Sequence, residues 1–295
     1  MRDALRRAVL TTSDHPAMPL AATGAVALAT AALSRRSLGS TRALGLGAVA
    51  GAATGWALLA DRVAARTQRA VAADAADAAY RQAEALGRVY AELRGDVGLP
   101  PMRGWALSPD AATVVLDAVA ERRPEVVVDL GSGTTTLLLA LLARTGAPER
   151  IISVDHDADY LARTARLLHD AGVADHVELV HAPLTEVDVD GHREPWYDLA
   201  GGPTPERVDL LIVDGPPRTA SPTARHPALG WFAPALHERS LVVLDDADRA
   251  GEREVVRRWL AHHPELVVAE VPTEKGCAVL HHRDHRPALL DRRAP

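Results

Sequence analysis

Apolar runs that end in acids carry the chemistry of this 295-residue chain. Val126–Thr136 reads VVVDLGSGTTT, and Arg150–Val154 leads into Asp155. Val208–Arg218 (VDLLIVDGPPR) delivers Asp214, and Leu241–Arg249 (LVVLDDADR) delivers Asp245 and Asp246. In the first run, Gly131 and Gly133 flank Ser132 between a strand-like segment and the helical pattern of Leu137–Ala143. Glycine allows a tight turn and a close approach of backbone to ligand. The helix start aims unpaired N–H groups at the same spot. Together these make a crevice for a nucleotide-type cofactor. A dinucleotide fingerprint would need glycine at the sixth place of GxGxxG, where Thr136 stands. Asp155, with His156 beside it, lies 24 residues beyond Gly131 and can accept both hydroxyls of a ribose. Asp157 suits the cap of the next helix better.

Asp214, Asp245 and Asp246 belong at the carboxyl ends of neighbouring strands, where ligands of open α/β sheets sit. Three carboxylates in one crevice repel each other unless something positive joins them. Oxygen-only ligands suit Mg²⁺ or another hard divalent cation rather than zinc. Such an ion would hold a substrate hydroxyl and lower its pKa, with Asp214 and Asp245 as the catalytic acids. The other reading of the same residues is that Asp214 meets cofactor or substrate. Asp245 and Asp246 then cap a loop or pair with Arg249.

The elements that must position these groups alternate. Ser108-Pro109-Asp110 is a helix start, with Ser at the N-cap and Pro at the first helical position, and the helix runs to about Arg122. Strand Val126–Val128 is followed by strand Arg150–Val154, helix Asp157–Ala171 and strand His176–His181. An irregular polar insert, Asp188–Glu206, precedes strand Val208–Val213 and helix Pro227–His237. Strand Ser240–Leu244, helix Glu252–His262 and strands Leu266–Val271 and Cys277–His281 finish the series. Alternation of this kind predicts a Rossmann-like, doubly wound α/β sheet with helices on both faces. The last two strands have only Pro272–Gly276 between them and read as an antiparallel hairpin.

Upstream, Ala17–Leu33 and Ala43–Ala60 carry no charge and approach the length that crosses a hydrocarbon core. The short, arginine-bearing Ser34–Arg42 between them reads as the loop of an α-helical hairpin in the bilayer. Gly47, Gly51 and Gly55 form a flat face on which another helix could pack, which also leaves a homo-oligomer open. Soluble Ala-rich helices or a signal peptide are the alternatives. Nine arginines and three acids fall in residues 1–72, against 24 basic and 36 acidic residues in the remainder. A basic piece on an acidic body suggests a membrane surface rather than nucleic acid as partner. Arginines outside the apolar pair (Arg2, Arg6, Arg7, Arg62, Arg66, Arg69) place both ends, and hence the catalytic domain, in the cytoplasm. The single Cys277 excludes an intrachain disulfide. From Asp61 to Arg94 the chain is helix-forming, with an apolar stripe through Ala79, Ala83, Leu86, Tyr90 and Leu93. The organisation expected is a membrane hairpin over 1–60, a linker helix and Pro/Gly break over 61–104, a catalytic domain over 105–283 and a polar tail over 284–295.

Asp129-Leu-Gly131-Ser-Gly133 resembles motif I of the class I S-adenosylmethionine (SAM) methyltransferases. RGWALSPDA, the WYD of Trp196–Asp198, VDGPPR, ARHPAL (Ala224–Leu229) and LDDADR…EVVRRW extend the resemblance over Arg103–Trp259, to a bacterial group of mostly unassigned substrate. It implies that Gly131, Ser132, Gly133, Thr134 and Thr135 wrap the methionine portion of SAM, with Asp129 close to its ammonium group. Ala182, after the third strand, is implied in adenine contacts. Catechol-type and macrolide sugar O-methyltransferases place metal-binding acids on the strands of Asp214, Asp245 and Asp246. The implied activity is O-methylation of a small-molecule or lipid-linked hydroxyl, with Trp105, Arg218 and His226 towards the substrate. Two departures stand out: Asp129 where Glu is common, and His226 where a tyrosine is expected. An NAD-dependent oxidoreductase and a non-catalytic SAM-binding membrane protein compete with this reading.

Overall fold

A computed structural model describes residues 18–38, 40–93, 97–202 and 205–291 of the chain. Two compact units divide it, Met1–Asp77 and Ala78–Pro295. In the first, helix α1 (Met18–Leu38) lies against the start of helix α2 (Ser40–Glu92). The expected loop Ser34–Arg42 is instead helical on both sides of position 39, which lies outside the described residues, as does Ala17. Ser34–Leu38 contains neither Gly nor Pro, and arginine is a good helix former, so nothing stops the first arm earlier. A Cβ at Gly47 would lie 2.8 Å from the Ala31 Cβ, and one at Gly51 2.7 Å from the Ala27 Cβ. The small-residue face thus brings two helix backbones of the same chain together. The second apolar segment and the helix-forming stretch after it are one helix of 53 residues.

The second unit is built on a seven-stranded sheet. β1 (Val126–Leu130), β2 (Arg150–Asp155), β3 (Val177–His181), β6 (Val208–Val213) and β7 (Leu236–Asp245) pair in parallel. β9 (Cys277–His282) pairs antiparallel with β7 and with β8 (Leu266–Val271), so the order is β3-β2-β1-β6-β7-β9-β8. Val127, Val128, Leu210 and Leu211 are fully buried because helices cover both faces of the parallel strands. One face is covered by α3 (Pro109–Arg122) and α4 (Thr134–Ala143), with Val89 of α2 and Leu289 and Leu290 of the C-terminal segment. The other holds α6 (Pro227–Phe232) and α7 (Ala250–His262) with Trp196 and Tyr197. Helix α5 (Ala158–Asp170) joins β2 to β3, and Asp157 caps it by accepting from Asp159 N and Tyr160 N.

Three expectations change. The insert Asp188–Glu206 is not irregular throughout: β4 (Leu184–Val189) and β5 (His192–Tyr197) form a two-stranded hairpin. Its turn, Asp190-Gly191, has φ of 54° and 75°, a pair of left-handed residues that joins twisted strands tightly. The helix expected over Pro227–His237 stops at Phe232, and β7 already begins at Leu236. Residues 284–291 are not a free polar tail. Leu289 and Leu290 enter the core, and Glu121 on α3 accepts from Ala288 N at 2.8 Å and Leu289 N at 2.6 Å. The C-terminal stretch of α2 also packs on its own unit: Arg88 pairs with Asp117, and Leu86 and Leu93 lie against the core.

Candidate functional site

Strand β1 ends at the mouth of a cavity of about 260 Å³. Gly131, Ser132, Gly133, Thr134 and Thr135 line one side, Arg103–Leu107 the other, and Tyr160 and Asp214 complete it. Gly131 has φ +108°, and a Cβ there would stand 3.1 Å from the backbone carbon of Asp214. The turn and the end of β6 therefore touch backbone to backbone, which only glycine permits. Gly131→Ala is expected to abolish cofactor binding in calorimetric titration and to destabilise the fold. The cradle fits a ligand that needs main-chain contact on one side and a carboxylate on the other.

Thr136 has a role of its own. Its Oγ1 donates to Asp129 Oδ2 at 2.6 Å and accepts from Gly133 N at 3.0 Å. The side chain locks the glycine turn to the strand beneath it. Asp129 is therefore fully buried behind the turn, held by Thr136 and Ser153, and does not line the cavity. Burial pushes its carboxyl up to about 7, against the opposing hydrogen bonds from Thr136 and Ser153. Asp155 lies under the same loop. Its Oδ2 accepts from Ser132 N at 3.0 Å and Ser132 Oγ at 3.1 Å, and its Oδ1 from Asp157 N at 2.9 Å. His156 Nδ1 is 3.2 Å from Asp155 Oδ1, and Ala182 N donates to the Asp155 carbonyl at 2.8 Å. These three residues form one connected support behind the Gly131–Thr135 turn.

The structure brings Asp214, Asp245 and Asp246 together, with one oxygen of each inside a sphere of mutual distances below 4.8 Å. It also brings cations, of which only Arg249 was expected as a partner of these acids. Arg225, 4% exposed, donates from Nη2 to Asp214 Oδ1 at 3.1 Å and Asp246 Oδ2 at 3.0 Å. Its Nη1 donates to the carbonyl of Asp245 at 2.9 Å. Arg249 Nη1 reaches Asp246 Oδ2 at 2.6 Å, and Lys275 Nζ lies 3.7 Å from Asp245 Oδ2 and 3.9 Å from Asp246 Oδ1. With Glu252 3.8 Å from Arg225, four carboxylates face three cations. Burial and the neighbouring Asp245 hold the Asp214 carboxyl well above the usual range. Burial and Asp246 raise Asp245 in the same way.

A divalent cation was the other way to balance this charge. Both oxygens of Asp245 and Oδ1 of Asp246 are buried without a hydrogen bond, as ligands would be. The donor set nevertheless does not fit a dication. Arg225 already donates to two of the three acids and Lys275 faces the third. Like unit charges 4 Å apart repel by about 4 kcal/mol at an effective dielectric of 20, and a dication doubles that. Burial and mutual repulsion raise Asp214 and Asp245, which eases the remaining imbalance by favouring their neutral forms.

Of the residues expected at the substrate, Trp105 lines the cavity and is 68% exposed. Arg218 is exposed and lines no part of it. His226 is fully buried and packs edge-on against His192 of the β4–β5 hairpin, with ring centroids 5.1 Å apart. Burial, then Arg258, lowers its pKa to about 4, so it is neutral. Arg225, its neighbour in ARHPAL, does the electrostatic work instead. The same hairpin sends in Tyr197, whose hydroxyl lies where a Cβ on Gly215 would be. Burial pushes that phenol well above its ordinary pKa, so it stays protonated beside Asp214. Two signals pointed to the missed residues: Lys275 is the chain's single lysine, and Arg225 sits within a motif already singled out.

Residues 128–247 match the family described as a methyltransferase domain. A probable cobalt-precorrin-6B C(15)-methyltransferase (decarboxylating) of Pyrobaculum calidifontis is 32% identical over 93 residues. That match takes in 32% of this chain and 48% of the relative, so the chain spans about half the length of this curated relative. Among solved structures, a methyltransferase from Geobacter sulfurreducens is 23% identical, with a TM-score of 0.41, over 58% of this chain and 78% of that one. An SAH-bound methyltransferase of Podospora anserina is 14% identical, with a TM-score of 0.47, over 68% of this chain and 88% of that one.

Proposed function

We propose that this chain, whose residues 128–247 match a methyltransferase domain, is a class I SAM-dependent methyltransferase that methylates a hydroxyl of a small-molecule or lipid-linked acceptor while tethered to a membrane. The observation that carries the reading is the single cavity shared by the turn Gly131–Thr135, the exposed Trp105 and the carboxyl of Asp214. SAM, when bound, supplies a methyl group activated by a sulfonium. The turn Gly131–Thr135 holds that donor, Asp155 steadies the turn through Ser132, and Trp105 with the Arg103–Leu107 wall faces the acceptor. Asp214 would accept the proton that the acceptor hydroxyl loses as the methyl group passes from the sulfonium, which would leave as SAH. The carboxylate form is needed for that, so the raised pKa of Asp214 makes turnover rise with pH beyond the usual carboxylate range. The divalent ion expected from the acid trio has no step here, because protein cations already face those acids. That Arg225 engages Asp214 favours a second reading, a protein that binds SAM without transferring its methyl group.

The membrane part rests on unit one. Helix α2 is the one described helix long and apolar enough to cross a bilayer. Leu28, Leu33, Val49 and Trp56 are exposed large hydrophobics on the two helices. The arginine distribution supports a cytoplasmic catalytic domain.

Calorimetric titration with SAM, SAH and NADH tests the donor. Uptake of SAM and SAH but not NADH is expected, and failure to bind SAM or SAH at millimolar levels removes the proposal. Comparing lipids and metabolites of intact and deleted strains for shifts of one methyl group tests the acceptor. Asp214→Asn is expected to bind SAM and lose transfer; equal transfer by both proteins assigns the proton acceptor elsewhere.

A further inference from the structure

Lys275 is the only lysine in the chain, and the fold spends several contacts on aiming it. It sits in the turn between β8 and β9, just before Gly276 at φ +75°. That turn is clamped from two sides. Ala247 N donates to the Gly276 carbonyl at 3.0 Å, and Asp248 N to the Lys275 carbonyl at 3.1 Å, which bind it to the loop after β7. On the other side, Glu274 N donates to Asp110 Oδ2 at 2.8 Å, which binds it to the start of α3. The side chain, 20% exposed, then runs between two structures that no other cation joins among the described residues. Its ammonium donates to the carbonyls of Gly104 at 3.2 Å and Ala106 at 3.0 Å, in the wall that carries Trp105. Its other contacts are Asp245 Oδ2 and Asp246 Oδ1, at 3.7 and 3.9 Å. These two oxygens have no hydrogen-bond partner of their own, and Asp245 is 1% exposed.

We propose that Lys275 is the resident cation of the site: it stands in for a divalent ion at Asp245 and Asp246 and ties the Trp105 wall of the cavity to them. An ammonium has three donors and a flexible stem, so it can satisfy two carbonyls and still face a carboxylate pair. Arginine Arg225 neutralises Asp214 and the far oxygen of Asp246, which leaves Asp245 to Lys275. The charge is fixed to the chain, so the site is complete without an ion from solution. Lys275 is a positioning residue: it acts through the wall and the acids.

The inference concerns the same site as the proposed activity, but its readout is ion occupancy, so its failure leaves SAM uptake, measured separately, untouched. The experiment is Mn²⁺ titration of the full chain by electron paramagnetic resonance, for wild type, Lys275→Arg and Lys275→Met. Wild type and Lys275→Arg are expected to take up no stoichiometric Mn²⁺ at micromolar concentration. Lys275→Met is expected to bind one ion at least tenfold more tightly, and to lose it again when Asp245→Asn is added. Lys275→Gln, which keeps donors for the two carbonyls, replaces the methionine variant if that one does not fold. Stoichiometric Mn²⁺ bound tightly by the wild type overturns the proposal. So does a neutral variant, folded by circular dichroism, that binds Mn²⁺ no better than wild type.

Discussion

At the scale of single residues, the site depends on buried charges kept in order by named partners. Asp129 shows the consequence for stability. Its carboxyl is raised from 3.8 to about 7 in the fold, so the folded chain holds this proton more tightly than the unfolded chain. Between those values the folded state binds more protons, and its stability falls as pH rises. The shift corresponds to about 4 kcal/mol at most. Denaturant titration of wild type and Asp129→Asn at several pH values between 4 and 8 is the check. The wild type is expected to lose stability relative to the variant as pH rises, and parallel curves reject the assignment. Arg225 is the opposite case, a buried cation whose loss leaves Asp214 without its ion pair and Asp246 with only Arg249 and Lys275. Arg225→Met is expected to cost about 3–5 kcal/mol at neutral pH, the usual cost of breaking a buried pair from one side. Part of that loss should return on acidification, since the freed carboxyls then take up protons. A loss that ignores pH would show that packing, not charge, is what Arg225 supplies.

At the scale of elements, the β4–β5 hairpin does more than connect strands. Glu194 on β5 is 5% exposed and accepts from Ser221 Oγ at 2.7 Å, from Thr223 Oγ1 and from Arg258 Nη1 at 3.3 Å. Those bonds pin the loop that carries Arg225 into the acid cluster. Glu194→Ala is therefore expected to cost about 1–3 kcal/mol for the buried donors it strands. It should also lower methyl transfer more than SAM affinity, because the loop lies on the acid side of the cavity. Unfolding curves and separate binding and turnover measurements check both parts. Most of the sheet was legible beforehand, since Val208–Val213, Leu266–Val271 and the start of β9 were read directly from apolar runs. The hairpin was not: in β5, HREPWY, one face carries His192 and Glu194 beside Trp196 and the other Arg193 and Pro195 beside Tyr197, so neither face reads as apolar.

At the scale of the whole chain, the seam between α1 and α2 and the sheet-bearing unit solve different problems. The glycines of α2 close a seam against α1, and the remaining face of those helices keeps Leu28, Leu33, Val49 and Trp56 outward. An outward apolar surface of that kind is what a bilayer accepts and water does not. The full chain is expected in the membrane fraction and resistant to alkaline carbonate. A chain lacking residues 1–60 is expected in the soluble fraction with SAM affinity within about threefold of the full chain, since every residue that lines the cavity belongs to the second unit. Recovery of the full chain in the soluble fraction rejects the tether.

Local sequence was enough for the glycine turn, for the acids at the strand ends and for the antiparallel finish of the sheet. Each of these follows from short-range rules: which residues tolerate a tight turn, and where an apolar run must stop. It was not enough to say what balances the acids. Arg225 comes from a loop 11 residues past Asp214 and Lys275 from a turn 61 residues past it, and only packing makes them neighbours. Electrostatic balance depends on distance in space and on burial, and neither is written in the order of residues.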